Sequence, residues 1–249
     1  MIDLNNCKNL FQNYTKKYDL KNEKILLKVL HTYRVMDNCI DIAKSLDLKH
    51  EDLSIAALIG LLHDIGRFEQ IKQYNTFNDH KSVDHAALGV DILKKDKFIS
   101  KFVSDKKTQE IVFKTINNHN KYEIEYDLDD RTLMFCKIIR DADKLDIFKI
   151  FSEKIYKIPY TNSCVSNRVL NYYLKGIVLP DSFNETVLDE NLRTFGMLYD
   201  LNYEYSINKV ISDNIPDKLM DIIIKSSVHE KENLLNIKKV YYKKRGNLC

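Results

Sequence analysis

Apolar residues recur at helical spacing along most of the chain. Leu26, Leu30, Tyr33, Met36, Ile40 and Ala43 lie three or four apart, which predicts a helix over Glu23–Leu46 with these residues as its core stripe. The next segment, Ile55–Arg67, reads IAALIGLLHDIGR, and its Ala56–Leu62 part is apolar on every side. A helix of that kind is expected in the middle of a fold. Glu51 and Asp52 suit its N-terminus, and Gly66 is expected to let the backbone turn out of it. FEQIKQYNTFNDHK then predicts a short helix and a polar loop. A third core helix is expected from Ser82 as N-cap, with Val83, Ala86, Ala87, Val90 and Leu93 facing inward. A fourth covers Asp105–His119, where Ile111, Val112, Thr115, Ile116 and His119 share a face. A fifth covers Asp130–Phe151, with Leu133, Met134, Ile138, Ala142, Leu145 and Lys149 on one side. Further helices are expected near Val165–Lys175, Thr186–Ile211 and Pro216–Asn236, the first between Pro159 and Pro180. Residues 1–22 read as a short helix and a connection.

Composition supports an all-α fold. Three prolines and six glycines in 249 residues are too few for many tight hairpin turns. A net charge of +3, with both signs interspersed, reads as a solvated surface and gives no strong nucleic-acid signal. The basic run KKVYYKKRG near the C-terminus is expected to be a frayed, solvated end. The five cysteines, Cys7, Cys39, Cys136, Cys164 and Cys249, are scattered without a CxxC, which predicts free thiols in a reducing compartment. The N-terminus lacks the basic start and apolar run of a signal peptide. No stretch approaches the roughly 18 apolar residues of a membrane span. The expected location is cytoplasmic. There is no Walker loop, GxGxxG, GxSxG or reactive-cysteine signature.

Candidate chemistry begins at His63 and Asp64, which close the most apolar helix. Leaving even a neutral polar group unpaired in a dry interior costs roughly 2–7 kcal/mol. A divalent metal is an economical partner, since imidazole and carboxylate are both common ligands. His31 lies at the edge of the first core stripe, with Arg34 one turn along as a carboxylate partner. Taken singly, His31, His85 and His119 read as packed core histidines. In RDADKLD, Asp141 shares a face with Lys137 and Lys144 and is expected to be solvated and salt-bridged. Asp143 follows Ile139 and precedes Ile147 and Ile150 at helical steps, so it is the acid expected to point inward, with Asp146 as runner-up.

The pattern resembles the HD-domain metal-dependent phosphohydrolase superfamily. That family places a His on one helix, a His-Asp doublet on a second and an Asp on a later one. HTYRV, LLHDIGR and DADKLD match it through His31, His63, Asp64 and Asp143, and the likeness covers roughly residues 23–150. Residues 1–157 are expected to form an HD-type helical core; beyond Lys157 the resemblance fades, and 158–249 read as a C-terminal helical extension packed on the core in the same domain. In relatives with two metals, a His from each of two intervening helices completes the site. DHAALG and NNHN put His85 and His119 there. The implied cofactor is one or two divalent transition-metal ions, with Fe, Mn, Zn, Co and Ni all open.

The implied activity is phosphomonoesterase or phosphodiesterase chemistry on a small-molecule phosphate ester, a nucleotide among the candidates, through a metal-activated water, with Asp64, Arg67 and Lys144 as the expected catalytic residues. Arg67 stands where related phosphodiesterases carry a basic residue after HDIG; it is read as a phosphate ligand or as a surface salt-bridge residue. Lys144 serves similarly, or pairs with adjacent acids. In the loop, Tyr74, Asn78, Asp79 and His80 are candidate substrate contacts, each alone also readable as a turn or surface residue. The GYP signature of the cyclic-dinucleotide branch is missing, which argues against that activity. Two other classes share the pattern: a diiron oxygenase of the HD fold, and a helical binding module with a structural metal. Oligomeric state is not legible.

Overall fold

The computed structural model describes residues 2–153, 158–177, 180 and 183–246. Among the described residues it is all-α, as expected, with one isolated β-bridge between Thr161 and Ser227. The chain divides into two compact units, Met1–Asp146 and Ile147–Cys249. The boundary expected after Lys157 falls at a residue outside the described ones.

In the first unit, α1 (Leu4–Thr15), α2 (Glu23–Ser45) and α6 (Lys106–Asn118) pack around α3 (His50–Leu62). Every α3 residue from Ser54 to Leu62 is buried, so the helix is a central rod. Gly60 lets α2 come close: a Cβ there would lie 2.7 Å from the Cα of Met36. α4 (Ile65–Tyr74) packs on α5 (His85–Lys94), α5 packs on α6, and α7 is Asp130–Ser152.

Several local expectations are corrected. The turn out of α3 is made at His63 and Asp64, and Gly66 lies inside α4. Its role is close approach: a Cβ on Gly66 would sit 2.2 Å from the carbonyl oxygen of His85 and 2.7 Å from the Gly89 nitrogen. The N-cap of α5 is Asp84 and not Ser82; its carboxylate accepts from the backbone N–H groups of Ala86 and Ala87. On α2, Leu26 and Leu30 are 44% and 49% exposed. The buried apolar face is Ile25, Val35, Met36, Cys39, Ile42 and Ala43. A polar stripe sets that rotation: Lys24 donates to Asn75, Lys28 to Asp64, Arg34 to Asp146, and Asn38 to the Ala142 carbonyl. On α7, Asp141 is fully buried and not solvated.

The second unit holds α8 (Asn167–Lys175), α9 (Val187–Gly196), α10 (Glu204–Ser212), α11 (Ile215–Ser226) and α12 (Lys231–Gly246). The single helix expected over Thr186–Ile211 is broken after Gly196 by a 3-10 turn, Met197–Asp200, and by extended Leu201. Asp200 and Asn202 favour that turn. The helix expected over Pro216–Asn236 ends at Ser226, because Ser227 is extended and bridges to Thr161. The basic C-terminal run is not frayed up to Gly246. It forms the end of α12, where Tyr241 is buried against Phe195 and Tyr199. Cys7, Cys39, Cys136 and Cys164 are free thiols, while Cys249 lies outside the described residues. Among the described residues, no helix is long and apolar enough to cross a membrane.

Candidate metal centre

Two histidines are aimed by the ends of their own helices. A helix leaves its last carbonyls without intrahelical donors. His63 caps the C-terminus of α3, and its Nδ1 lies 2.8 Å from the Gly60 carbonyl. His119 caps α6 in the same way, with Nδ1 2.7 Å from the Ile116 carbonyl. A carbonyl can only accept, so Nδ1 carries the proton in both rings and Nε2 points onward. His31, in mid α2, has its Nδ1 2.6 Å from Asp146 Oδ2, and Asp146 is held in turn by Arg34 Nε at 2.5 Å. His85, the first residue of α5, has its Nδ1 2.6 Å from Asp79 Oδ2.

All four Nε2 atoms therefore converge, and Asp64 lies among them. Asp64 Oδ2 is 3.5 Å from His31 Nε2 and 3.5 Å from His63 Nε2. Asp143 Oδ1, from α7, completes this group at 3.1 Å from His31 Nε2 and 3.9 Å from His63 Nε2. The other oxygen, Asp64 Oδ1, is 3.3 Å from His85 Nε2 and 3.7 Å from His119 Nε2. One carboxylate thus serves two donor sets from opposite oxygens. The sets His31–His63–Asp64 and Asp64–His85–His119 can each hold a metal ion.

The donors fit a cation better than they fit each other. The buried Nε2 atoms of His31 and His63 have no hydrogen-bond partner, even though carboxylate oxygens lie nearby. The Nε2 atoms of His85 and His119 face one another at 3.0 Å. With both Nδ1 protons committed, two lone pairs meet there unless a proton or a cation lies between them. Ligands about 2.0–2.2 Å from a common ion stand roughly 3 Å or somewhat more apart, which is the spacing of these edges.

The charges agree with this fit. Burial works against ionised Asp64, but Lys28, His63 and bonds from His119 and His31 hold it well below the usual carboxylate range. Burial likewise opposes ionised Asp143, and His31 overrides it to lower the carboxyl. Burial keeps His63 neutral, and burial pushes His85 down to about 4 against the pull of Asp79. His31 is the exception. Burial and Lys28 lower it, yet Asp143, Asp146 and Asp64 outweigh them and lift it to about 10. Its proton stands where a cation would.

The remaining candidates divide. Arg67 lies beside the centre, its Nε 3.6 Å from Asp64 Oδ1, but its Nη1 already donates to Gln70, the Phe77 carbonyl and Asp79 at 2.7 Å each. Lys144 is nearly buried, with its amine 3.3 Å from the Arg140 carbonyl. Tyr74 is exposed at the far end of α4, roughly 13.5 Å along the helix from Ile65 at about 1.5 Å per residue. His80 is exposed in the 3-10 turn Asp79–Lys81; its neighbour Asp79 is the residue that reaches the centre. Sequence reasoning missed Lys28, whose Nζ is 2.5 Å from Asp64 Oδ2. The signal was its place one turn before His31 on the same face of α2.

The all-α unit gathers four histidines and two aspartates around one point, a donor set that could hold a metal ion. Residues 29–147 match the model of the HD domain family. HD domains bind divalent metals and are typical of metal-dependent hydrolases. Neither the curated proteins nor the solved structures gave a match to the chain.

Proposed function

We propose that the protein is a metal-dependent phosphohydrolase that cleaves a phosphate ester, a nucleotide being the natural first substrate to test. The observation that carries this reading is the shared carboxylate: Asp64 presents Oδ2 to His31 and His63, and Oδ1 to His85 and His119. His31, His63, Asp64 and Asp143 would hold one ion, and Asp64, His85 and His119 a second. Divalent ions so held acidify water and neutralise phosphoryl oxygens. The chain's own residues do the rest. Asp146 and Asp79 keep His31 and His85 in the tautomer that directs Nε2 inward. Arg67, pinned through Nη1, has its remaining N–H groups to offer a phosphate oxygen. Lys144 adds positive charge on α7 one residue after Asp143. No role is assigned to Tyr74 or His80.

The test is metal analysis of the purified protein, followed by a screen of nucleotides and simple phosphate esters for phosphate or nucleoside release. The expected result is one or two transition-metal ions per chain and hydrolysis of at least one ester class. Oxygen consumption with iron present and no ester cleaved would replace this reading with an HD-fold diiron oxygenase. Metal without any turnover would point to a structural role.

A further inference from the structure

Lys28 donates a hydrogen bond directly to a candidate metal ligand. Its Nζ lies 2.5 Å from Asp64 Oδ2, the oxygen that faces His31 and His63. Arg34 is matched by Asp146, and Arg67 Nη1 by Asp79. Lys28 therefore stands as the counter-ion of Asp64 in the metal-free protein. A divalent ion bound through Oδ2 would bring two like charges against one oxygen.

The side chain has somewhere to go. Its Nζ lies 5.3 Å from the centre of the Phe77 ring, and the Arg67 guanidinium lies 5.8 Å from the same ring. Lys24, one turn earlier on α2, donates to Asn75 at 2.6 and 3.0 Å and holds that loop beside the helix. Lys28 and Asp143 are also among the more exposed residues of the centre, at 17% and 20% of their side-chain surface. The lysine is therefore partly open to solvent and can meet an anion there.

We propose that Lys28 is a displaceable counter-ion: it neutralises Asp64 while the centre is empty, and where Asp64 would hold a metal, Lys28 turns its ammonium to the phosphoryl group of the substrate. Lys28 and metal then compete for Asp64, whereas Lys28 and phosphate attract. This rests on the phosphohydrolase reading above. Removing the charge should move the two affinities in opposite directions, which a lysine serving only to hold the fold would not do.

The experiment compares wild type with Lys28→Met and Lys28→Arg as full-length chains, first stripped of metal and checked by thermal melting. Mn2+ is titrated into each by calorimetry, and inorganic phosphate is then titrated into the metal-loaded proteins. Lys28→Met is expected to bind Mn2+ several-fold more tightly. It should bind phosphate ~10-fold more weakly, the scale of one lost charge-assisted hydrogen bond. Lys28→Arg should keep phosphate binding near wild type. Weakening of both ligands in Lys28→Met would make the residue structural and overturn the proposal, as would phosphate affinity equal to wild type or Mn2+ affinity that does not rise. If wild type takes up no Mn2+, the metal reading itself fails, and the proposal falls with it.

Discussion

The Nδ1 of His31 lies 2.6 Å from Asp146 Oδ2. This contact separates the acids of the RDADKLD segment into distinct jobs. Asp146 stands behind His31 and faces Arg34, Asp143 stands in front of its Nε2, and Asp141 is buried elsewhere on α7. With carboxylates on both sides, His31 keeps its proton up to about 10. A cation can reach Nε2 only by displacing that proton. Metal uptake at neutral pH should therefore release about one proton from His31, and apparent affinity should rise with pH until the ring loses its proton unaided. Calorimetry in two buffers of different ionisation enthalpy measures this. Uptake without proton release would show that His31 is not a ligand.

Asp143→Asn and Asp141→Asn should part company. The first replaces the oxygen nearest His31 Nε2 and should lower metal content and activity together. The second alters a fully buried carboxylate outside the donor sets. It should cost stability, about 1–3 kcal/mol for a disturbed buried polar group, and leave metal content intact. Denaturant unfolding and metal analysis on both variants check this. Metal loss in Asp141→Asn alone would reverse the assignment.

These outcomes also mark what was legible in the sequence. Periodicity chose Asp143 as the inward acid because Ile139, Ile147 and Ile150 share its face, yet Asp141 and Asp146 are the more deeply buried, and Asp143, a fifth exposed, stands at the edge of the donors beside His31 Nε2. It failed for Asp141, since proximity to Lys137 and Lys144 along the helix does not reveal what covers that face. His63 stood out because it closes an apolar helix, whereas His119, at the end of an apolar stripe, was singled out only through the family resemblance; in both, a free helix-end carbonyl fixes the ring. On α2 the apolar spacing chose Leu26 and Leu30, whereas polar contacts of Lys24, Lys28, Arg34 and Asn38 set the rotation. Those partners are distant in the chain, so no local pattern announces them. The loop residue that matters, Asp79, was indistinguishable from its neighbours until Arg67, Gln70 and His85 were seen to meet on it.

Asp64 contributes an oxygen to each donor set, so Asp64→Ala should abolish both metal sites at once. His63→Ala removes a donor from only the first set. Metal per chain should fall to near zero in the former and to an intermediate value in the latter. Equal metal content in wild type and Asp64→Ala would refute the shared-carboxylate centre.

His85→Ala and His119→Ala should each take stoichiometry from two ions toward one. Both rings offer Nε2 to Asp64 Oδ1, and only His119 also meets the other set, its ring packed edge-on against His63 with centroids 5.2 Å apart. Activity should fall with the second ion, because a pair of ions clamps attacking and leaving oxygens together. Arg67→Ala should leave metal content unchanged and raise KM instead. If the histidine variants retain full metal and normal turnover, the site is mononuclear and these residues are core histidines.

Gly66 links the fold to the second donor set. Its α-carbon lies so close to the start of α5 that a Cβ would stand 2.2 Å from the His85 carbonyl oxygen and 2.7 Å from the Gly89 nitrogen. Both are backbone atoms, so no side-chain rotation relieves the clash. Gly66→Ala must push the first turn of α5 away from α4, and His85 is the first residue of that turn. Asp64, just before α4, stays with His31 and His63 through α2 and α3. The edge that lengthens is Asp64 Oδ1 to His85 Nε2, now 3.3 Å. The variant should lose stability by about 1–3 kcal/mol, the usual cost of forcing extra volume into a packed contact. It should also lose affinity for the second ion while the first binds as before. Gly89→Ala is the control. A Cβ there meets its nearest neighbour, the Gly66 nitrogen, at 3.4 Å, an ordinary contact, so stability and both metals should be retained. Metal titrations resolving two binding steps distinguish the cases. Equal loss of both ions in Gly66→Ala would mean that the centre moves as one body and that the α4–α5 contact does not set it.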